Sequence, residues 1–310
     1  MASPPSVVPA TQYSPVFARA AQLATTLPPL LVAAHRVAAT VIQGVHGRRR
    51  VGQGDAFWQF RQYRSGDTVN RIDWRQSAKS RAIYVRETEW EAAASVWLWR
   101  DASASMRWRS ARDGDTKAER AELLLLALAD LLVDAGERIA LLGSPAMPTS
   151  GRAVLRRIAF ALAEETARGG DRLPGQPALL PLPAHAHLVL VSDFLDPLEE
   201  VERLVRHYAS LGVRGHLLQV LDPAEEELPF AGHVKFAGLE REGEHTVRRV
   251  EAVRTAYTHR LQAQKEGLDR IAAAAGWSSH HHRSDRAPQQ ALMALYLALG
   301  DLGRWRGAQR

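Results

Sequence analysis

An α/β fold built on a mostly parallel sheet flanked by helices is what this sequence predicts, on three observations. From residue 93 onward, short apolar segments alternate with longer helical ones, the order that makes a parallel sheet covered on both faces. One segment, Leu188–Val191, is apolar at every position, which suits a central strand buried on both sides. Two predicted strands lead directly into an aspartate, Asp101 and Asp193, and ligands of open α/β sheets gather at the carboxyl ends of strands.

Residues 1–15, rich in Pro, Ser and Ala, read as a disordered leader. Pro28 and Pro29 interrupt the helical texture of 16–43, after which Leu30–Ile42 reads as a helix docked on the domain surface. Residues 44–92 mix glycines and charges with Phe57, Trp58, Phe60 and Tyr63. Short extended segments fit them, with turn chemistry at Gly66-Asp67 and Asn70. Ala82–Glu87 alternates as a half-exposed strand. The main domain then runs as strand Ala93–Trp99, helix Lys117–Ala135, strand Glu137–Leu142 and helix Ala153–Glu165. Leucines cover most of the circumference of the first of these helices, so it is expected to be well buried. After a Gly/Pro-rich loop at 169–184 come strand His187–Val191, helix Pro197–Leu211, strand Gly215–Leu221, strand-and-turn material at 222–247, and helices Val250–Ala275 and Ala287–Leu302. Three domains are expected: the leader 1–15, a helix and β-rich segment over 16–92 packed on the main domain, and the main domain 93–303.

Composition narrows the function classes. The chain has 310 residues, 46% of them hydrophobic, which supports a packed core. No cysteine occurs, which excludes a disulfide framework, a thiol nucleophile and a cysteine zinc site. Net charge is +6, yet the basic residues are scattered among acids except for Arg48, Arg49 and Arg50, so nucleic-acid binding is not expected. Lysine occurs only at 79, 117, 235 and 265. No signal peptide is read at the N-terminus. The apolar runs Leu27–Ala34 and Leu123–Leu128 fall short of the ~20 residues of a membrane span. A cytoplasmic protein without a membrane span is therefore expected. Neither a Gly-x-Ser-x-Gly turn nor a Gly-x-x-x-x-Gly-Lys-Ser/Thr loop is present, so no hydrolase triad or nucleotide site is expected.

The chemistry-bearing pattern is Asp101-Ala-Ser103-Ala-Ser105-Met106. An acid and two hydroxyls at alternate positions project to one side of an extended segment. Three hard oxygens suit Mg²⁺ or Mn²⁺, with water completing the shell. Asp193, in Ser192-Asp193-Phe194, adds a carboxylate at the same sheet edge. Thr149 could add a further hydroxyl after the second strand, with Ser150 and Ser144 competing for that place. Loop capping and turn formation explain Asp and Ser in such positions equally simply. His280, His281 and His282 read as a surface loop, because consecutive side chains diverge and no Cys or spaced Glu joins them.

With these residues in place, the chain resembles the bacterial family known as domain of unknown function 58, which carries a von Willebrand factor A-like (Rossmann-like) domain. The most specific stretch runs from Arg61 to Ala78, with Arg61, Tyr63, Gly66, Asp67, Arg71, Asp73, Trp74 and Ser77 matching the family pattern; Arg71 directly before Ile72 departs from it by one step. The resemblance covers roughly residues 44–300. It implies that Asp101, Ser103, Ser105 and Asp193 form a metal-ion-dependent adhesion site, in which hydroxyls bind Mg²⁺ directly, aspartates act largely through water, and a partner's carboxylate fills an open position. It also implies a non-enzymatic adaptor working with a MoxR-type AAA+ ATPase in complex assembly or chaperone-like remodelling. Arg100, directly before Asp101, departs from the usual apolar residue; it would weaken a metal or pair with another acid. Two alternatives stand beside the adaptor: a structural scaffold with a vestigial, metal-free site, and a Mg²⁺-dependent phosphoester hydrolase using Asp101 and Asp193. The motif's arginines, Tyr63 and Trp74 read as an internal brace in preference to an external contact surface.

Overall fold

In a computed structural model of the chain, the described residues are 30–42, 57–62, 74–79, 83–88, 95–167, 175–239 and 243–300. They fall into two compact units, Val45–Ala93 and the rest of the chain. The leader 1–15 lies outside the described residues, as do Tyr63, Gly66, Asp67, Arg71 and Asp73 of the family motif.

Helix α1 (residues 30–42) opens the large unit. Its Ala34, Val37, Ala38 and Val41 are buried, an i, i+3, i+4, i+7 stripe that seats one face and leaves the other to water. The small unit holds strands β1 (Phe57–Gln62) and β2 (Tyr84–Thr88), paired antiparallel, and the one-turn helix α2 (Trp74–Ser77). Arg61 pairs with Val85 in that ladder. The Ser77 hydroxyl accepts the Tyr84 N–H at 2.8 Å, which ties α2 to β2, while Trp74 is exposed.

The large unit continues as β3 (Ser95–Arg100), α3 (Lys117–Asp134), β4 (Arg138–Leu141), α4 (Ala153–Ala167), β5 (His187–Ser192), α5 (Leu198–Ser210), β6 (Arg214–Leu221), α6 (Pro223–Glu227), β7 (Val234–Ala237), β8 (Glu244–Val247), α7 (Val250–Ala274), β9 (Ser278–Arg283) and α8 (Pro288–Gly300). Five strands form one sheet in the order β4-β3-β5-β6-β9, every neighbouring pair parallel. β7 and β8 make a separate antiparallel hairpin. α3, with α4 and α8 against it, covers one face; α5 and α7 cover the other. This is the mostly parallel, helix-flanked sheet that the strand–helix alternation predicts.

Burial explains the layering. Every residue of β5 is buried, as a strand with helices on both faces must be. In α3, 14 of 18 residues are buried, so the helix is packed on most sides and not on a stripe. Thr116 and Glu119 cap it reciprocally, satisfying two of the free N–H groups of its first turn. α1 reaches α3 through His35 Nδ1, 2.6 Å from Asp130 Oδ2. Behind α5 and α7, the Trp277 ring lies so close to Gly215 that a Cβ there would fall 1.9 Å from it. Glycine is therefore the residue that lets β6 and the start of β9 approach.

Two expectations need correction. The His280–His282 run is not a surface loop. It is the middle of β9, paired with Leu218, Gln219 and Val220 of β6, and His282 is buried. Its residues lack the alternation of a strand, and partnership with β6 together with cover from α7 and α8 overrides that weak local preference. The material at 222–247 includes the helix α6 as well as strands and turns, started by an Asp222 capping box with Pro223 in its first turn.

Candidate metal centre

β3 and β5 are parallel neighbours with Arg100 opposite Val191, so Asp101 and Asp193 leave the sheet at the same rim. The Asp101 N–H donates to the Val191 carbonyl at 2.8 Å, extending the ladder by one step before the chain turns away. The turn is held by the Asp101 side chain. Oδ1 accepts the Ser103 N–H at 2.7 Å and Oδ2 accepts the Ser192 hydroxyl at 2.8 Å. Ser105 then starts a short 3₁₀ turn to Arg107, anchored by the buried Met106. Ser103 Oγ and Ser105 Oγ end 3.0 Å apart.

That spacing matters for the donor set. Oxygens at adjacent corners of an Mg²⁺ octahedron, with bonds of ~2.0–2.1 Å, stand roughly 2.9 Å apart. The two hydroxyls, hydrogen-bonded to each other at that spacing, are also compatible with such an edge. The electrostatics fit as well. Burial, with a smaller contribution from the Asp193 charge, lifts the Asp101 carboxyl from 3.8 to about 6 against the hydrogen bonds from Ser103 and Ser192. A carboxylate held under that penalty gains from a nearby cation. Among the described residues no group of three His, Cys, Asp or Glu side chains is arranged to hold a metal; the candidate here depends on serine hydroxyls.

A cation is already part of the arrangement. Lys117, the fully buried first residue of α3, places Nζ 2.8 Å from Asp193 Oδ2 and 2.5 Å from Glu225 Oε1. Burial works against its charge, but the two carboxylates outweigh burial and hold the ammonium above the ordinary lysine range. Burial conversely lifts Glu225 in spite of Lys117, because one ammonium serves two acids. Glu225 is placed by α6, where its Oε2 accepts the Asp222 N–H at 2.9 Å.

The turn after β5 is strained and pinned. Phe194 takes φ +46°, a region that non-glycine residues seldom occupy. Gln219 Nε2 donates to the Asp193 carbonyl at 2.7 Å. Gln264 Nε2 donates to the carbonyls of Phe194 and Asp196 at 2.9 and 2.8 Å. Beside this turn Asp101, Ser103, Ser105, Asp193 and Glu225 line a cavity of about 320 Å³ together with the apolar Leu228, Phe230 and Phe236.

Thr149 does not join the group. The chain after β4 folds back antiparallel along that strand, and Thr149 exchanges both backbone hydrogen bonds with Ile139. This carries it from the carboxyl rim toward the start of β4, where its hydroxyl accepts from Arg157 at 2.5 Å. Ser150 lines the same distant surface pocket, and Ser144 turns its hydroxyl to the Ala146 N–H. The loop that reaches the site instead is the one before β5. A Cβ on Gly175 would lie 3.7 Å from Asp101 Oδ2 and 3.4 Å from Asp196 Oδ2. Arg100 faces away from the site: its Nη2 meets Glu122 Oε1 at 2.8 Å and the Thr166 hydroxyl at 2.6 Å, so its charge is paired with another acid.

Sequence reasoning missed Lys117, Ser192, Gln219, Glu225 and Gln264. Ser192 precedes Asp193 in the pattern already singled out, and Lys117 is one of four lysines in an arginine-rich chain.

Comparison with known proteins places these features in a family. An uncharacterized protein of Mycobacterium tuberculosis is 30% identical over 210 residues, covering 63% of this chain and 63% of the relative, and a Mycobacterium bovis protein matches equally. The chain thus spans about 63% of the length of these relatives. Among solved structures, an aerotolerance-related membrane protein from Bacteroides fragilis is similar at 16% identity, covering 67% of this chain and 100% of that one with a TM-score of 0.40. The conserved hypothetical protein BatB from Bacteroides thetaiotaomicron is similar at 14% identity, 68% and 100% coverage and a TM-score of 0.38. Among the described residues no helix is long and apolar enough to cross a membrane. The family model described as protein of unknown function DUF58 matches residues 59–267, and the chain belongs to that family.

Proposed function

We propose that the chain is a protein-binding module that holds Mg²⁺ or Mn²⁺ at the rim of its sheet and uses the cation to capture a carboxylate from a partner protein. Ser103 and Ser105 would bind the ion directly, with Asp101 and Asp193 as the surrounding carboxylates. The bound ion would supply a positive charge with a free coordination position. The observation that carries this reading is the 3.0 Å separation of the two hydroxyls beside the buried Asp101. The adjoining cavity has room for a partner's side chain. The resemblance extends the proposal to a MoxR-type AAA+ ATPase as partner, a role in complex assembly and a cytoplasmic location. Calorimetric titration of the full chain with Mn²⁺ tests the ion: one site is expected in the wild type and none in Asp101→Ala. Capture of the ATPase should be lost with EDTA and with the same variant. Equal capture by Asp101→Ala and wild type would end the reading.

A second reading is favoured by Lys117. Its ammonium already neutralises part of the acid at Asp193 and Glu225, as in a metal-free scaffold that needs no ion to hold its rim together. Absence of heat on Mn²⁺ titration supports this second reading. Phosphatase activity dependent on Asp193 would instead support a Mg²⁺-dependent phosphoester hydrolase.

A further inference from the structure

The sheet contains a hydrogen-bonded chain that runs from the protein surface to the Asp193 turn. Asp269, on α7, places Oδ1 2.9 Å from His281 Nε2. His281 Nδ1, on β9, lies 2.8 Å from Gln219 Oε1. Gln219, on β6 and fully buried, donates Nε2 to the Asp193 carbonyl at 2.7 Å. The adjacent turn carries the left-handed Phe194, a conformation that persists only where its surroundings hold it.

Donor and acceptor counting assigns the protons along this chain. The Asp193 carbonyl can only accept, so the Gln219 amide nitrogen must face it and the amide oxygen must face His281. That oxygen can only accept, so His281 Nδ1 must carry a proton. Nε2 of the same ring lies 2.9 Å from the Asp269 carboxylate, which orients the imidazole toward Gln219. Asp269 of α7 is the charged group against the ring, Gln219 of β6 the polar one, and His280 the titratable neighbour along the strand.

We propose that Asp269, His281 and Gln219 are positioning residues for the rim site: Gln219 fixes the Asp193 turn, and His281, oriented by Asp269, fixes Gln219. The inference rests on the cation-binding reading for its functional consequence. Its structural part, the fixing of the turn, stands separately. Partners of this kind behind metal ligands typically contribute about 10–100-fold in metal affinity. Gln219 is fully buried, so loss of the His281 donor to its oxygen is costly.

The test compares wild type, Gln219→Leu, His281→Leu and His281→Gln in the full chain. Mn²⁺ affinity is measured calorimetrically at one pH, and hydrogen exchange is followed at the Phe194 and Leu195 amides, which donate to Ser192 Oγ and Asp193 Oδ1. Gln219→Leu and His281→Leu should bind Mn²⁺ about 10–100-fold more weakly and exchange those two amides faster. His281→Gln keeps an amide donor that can reach the Gln219 oxygen, and should recover part of the affinity and of the amide protection lost in His281→Leu. His281→Gln behaving no better than His281→Leu, or Gln219→Leu binding Mn²⁺ as tightly as wild type, overturns the proposal. If wild type binds no Mn²⁺, the cation reading fails, and the exchange measurement still decides the relay: unchanged protection in Gln219→Leu and His281→Leu refutes it.

Discussion

Replacing Lys117 with methionine keeps the length and apolar stem of the side chain and removes its charge. In the wild type the ammonium lies 2.8 Å from Asp193 and 2.5 Å from Glu225, and the three side chains are 0%, 6% and 18% exposed. The variant leaves two buried carboxylates facing one another without a cation. Removing one partner of a buried ion pair costs about 3–5 kcal/mol. At ~2–4 °C per kcal/mol for a domain of this size, the melting temperature should fall by roughly 6–20 °C. The assay is urea unfolding and thermal melting followed by circular dichroism, in EDTA. The loss should shrink as pH falls, since the orphaned carboxylates take up protons and burial already lifts Glu225. If the rim binds Mn²⁺, the ion should restore part of the loss, about 2.7 kcal/mol at a free concentration 100 times its dissociation constant. A loss below about 1 kcal/mol, the range of an exposed pair, would refute the claim that Lys117 is the cation holding the rim together.

Four further outcomes follow from the same geometry. Asp101→Asn should stabilise the metal-free protein by about 1–3 kcal/mol at pH 7, because the buried carboxyl titrates near 6 in place of 3.8 and a neutral amide escapes that penalty; urea unfolding checks it, and the same variant should lose Mn²⁺ binding. His187 and His216, stacked at 5.4 Å, are pushed by burial to about 4 and about 3 from 6.5. The unfolded chain takes up protons below 6.5 that the folded chain refuses, so their contribution is full above that pH. It declines as pH falls toward 4, by at most about 1.4 kcal/mol per pH unit for each histidine; unfolding free energies at pH 7, 6 and 5 measure it, and His216→Phe should flatten the profile. Thr149→Val should leave Mn²⁺ affinity unchanged in calorimetry, since that hydroxyl serves Arg157. Gly215→Ala should cost about 1–3 kcal/mol or more through overpacking against Trp277, read as a lower urea midpoint.

The sheet was legible because its strands announce themselves. Leu188–Val191 has no polar residue to suggest anything but a central strand, and the leucines of α3 leave no polar face for solvent. β9 carried no such mark: Ser278 to Arg283 is polar throughout, and only its neighbour β6 makes it a strand. At the rim, Asp101, Ser103 and Ser105 are neighbours in sequence, so their shared direction follows from the extended backbone. Thr149 failed because its position depends on how the chain after β4 turns, a long-range choice that local spacing does not encode. Lys117 and Glu225, 108 positions apart, meet only through the packing of α3 and α6 on the finished sheet. The amides of Gln219 and Gln264 likewise acquire a role only once β6 and α7 are set beside the turn they hold.

The polar character of β9 has a consequence for the molecule in a crowded solution. Among the described residues it is the outermost strand on its side of the sheet, the position from which a strand can pair with another molecule. His282 is buried, but the exposed His281 and the half-buried Arg283 bring hydrated polar groups to that border. Two copies approaching border to border must strip that hydration, so the composition that hid the strand also guards it against self-association.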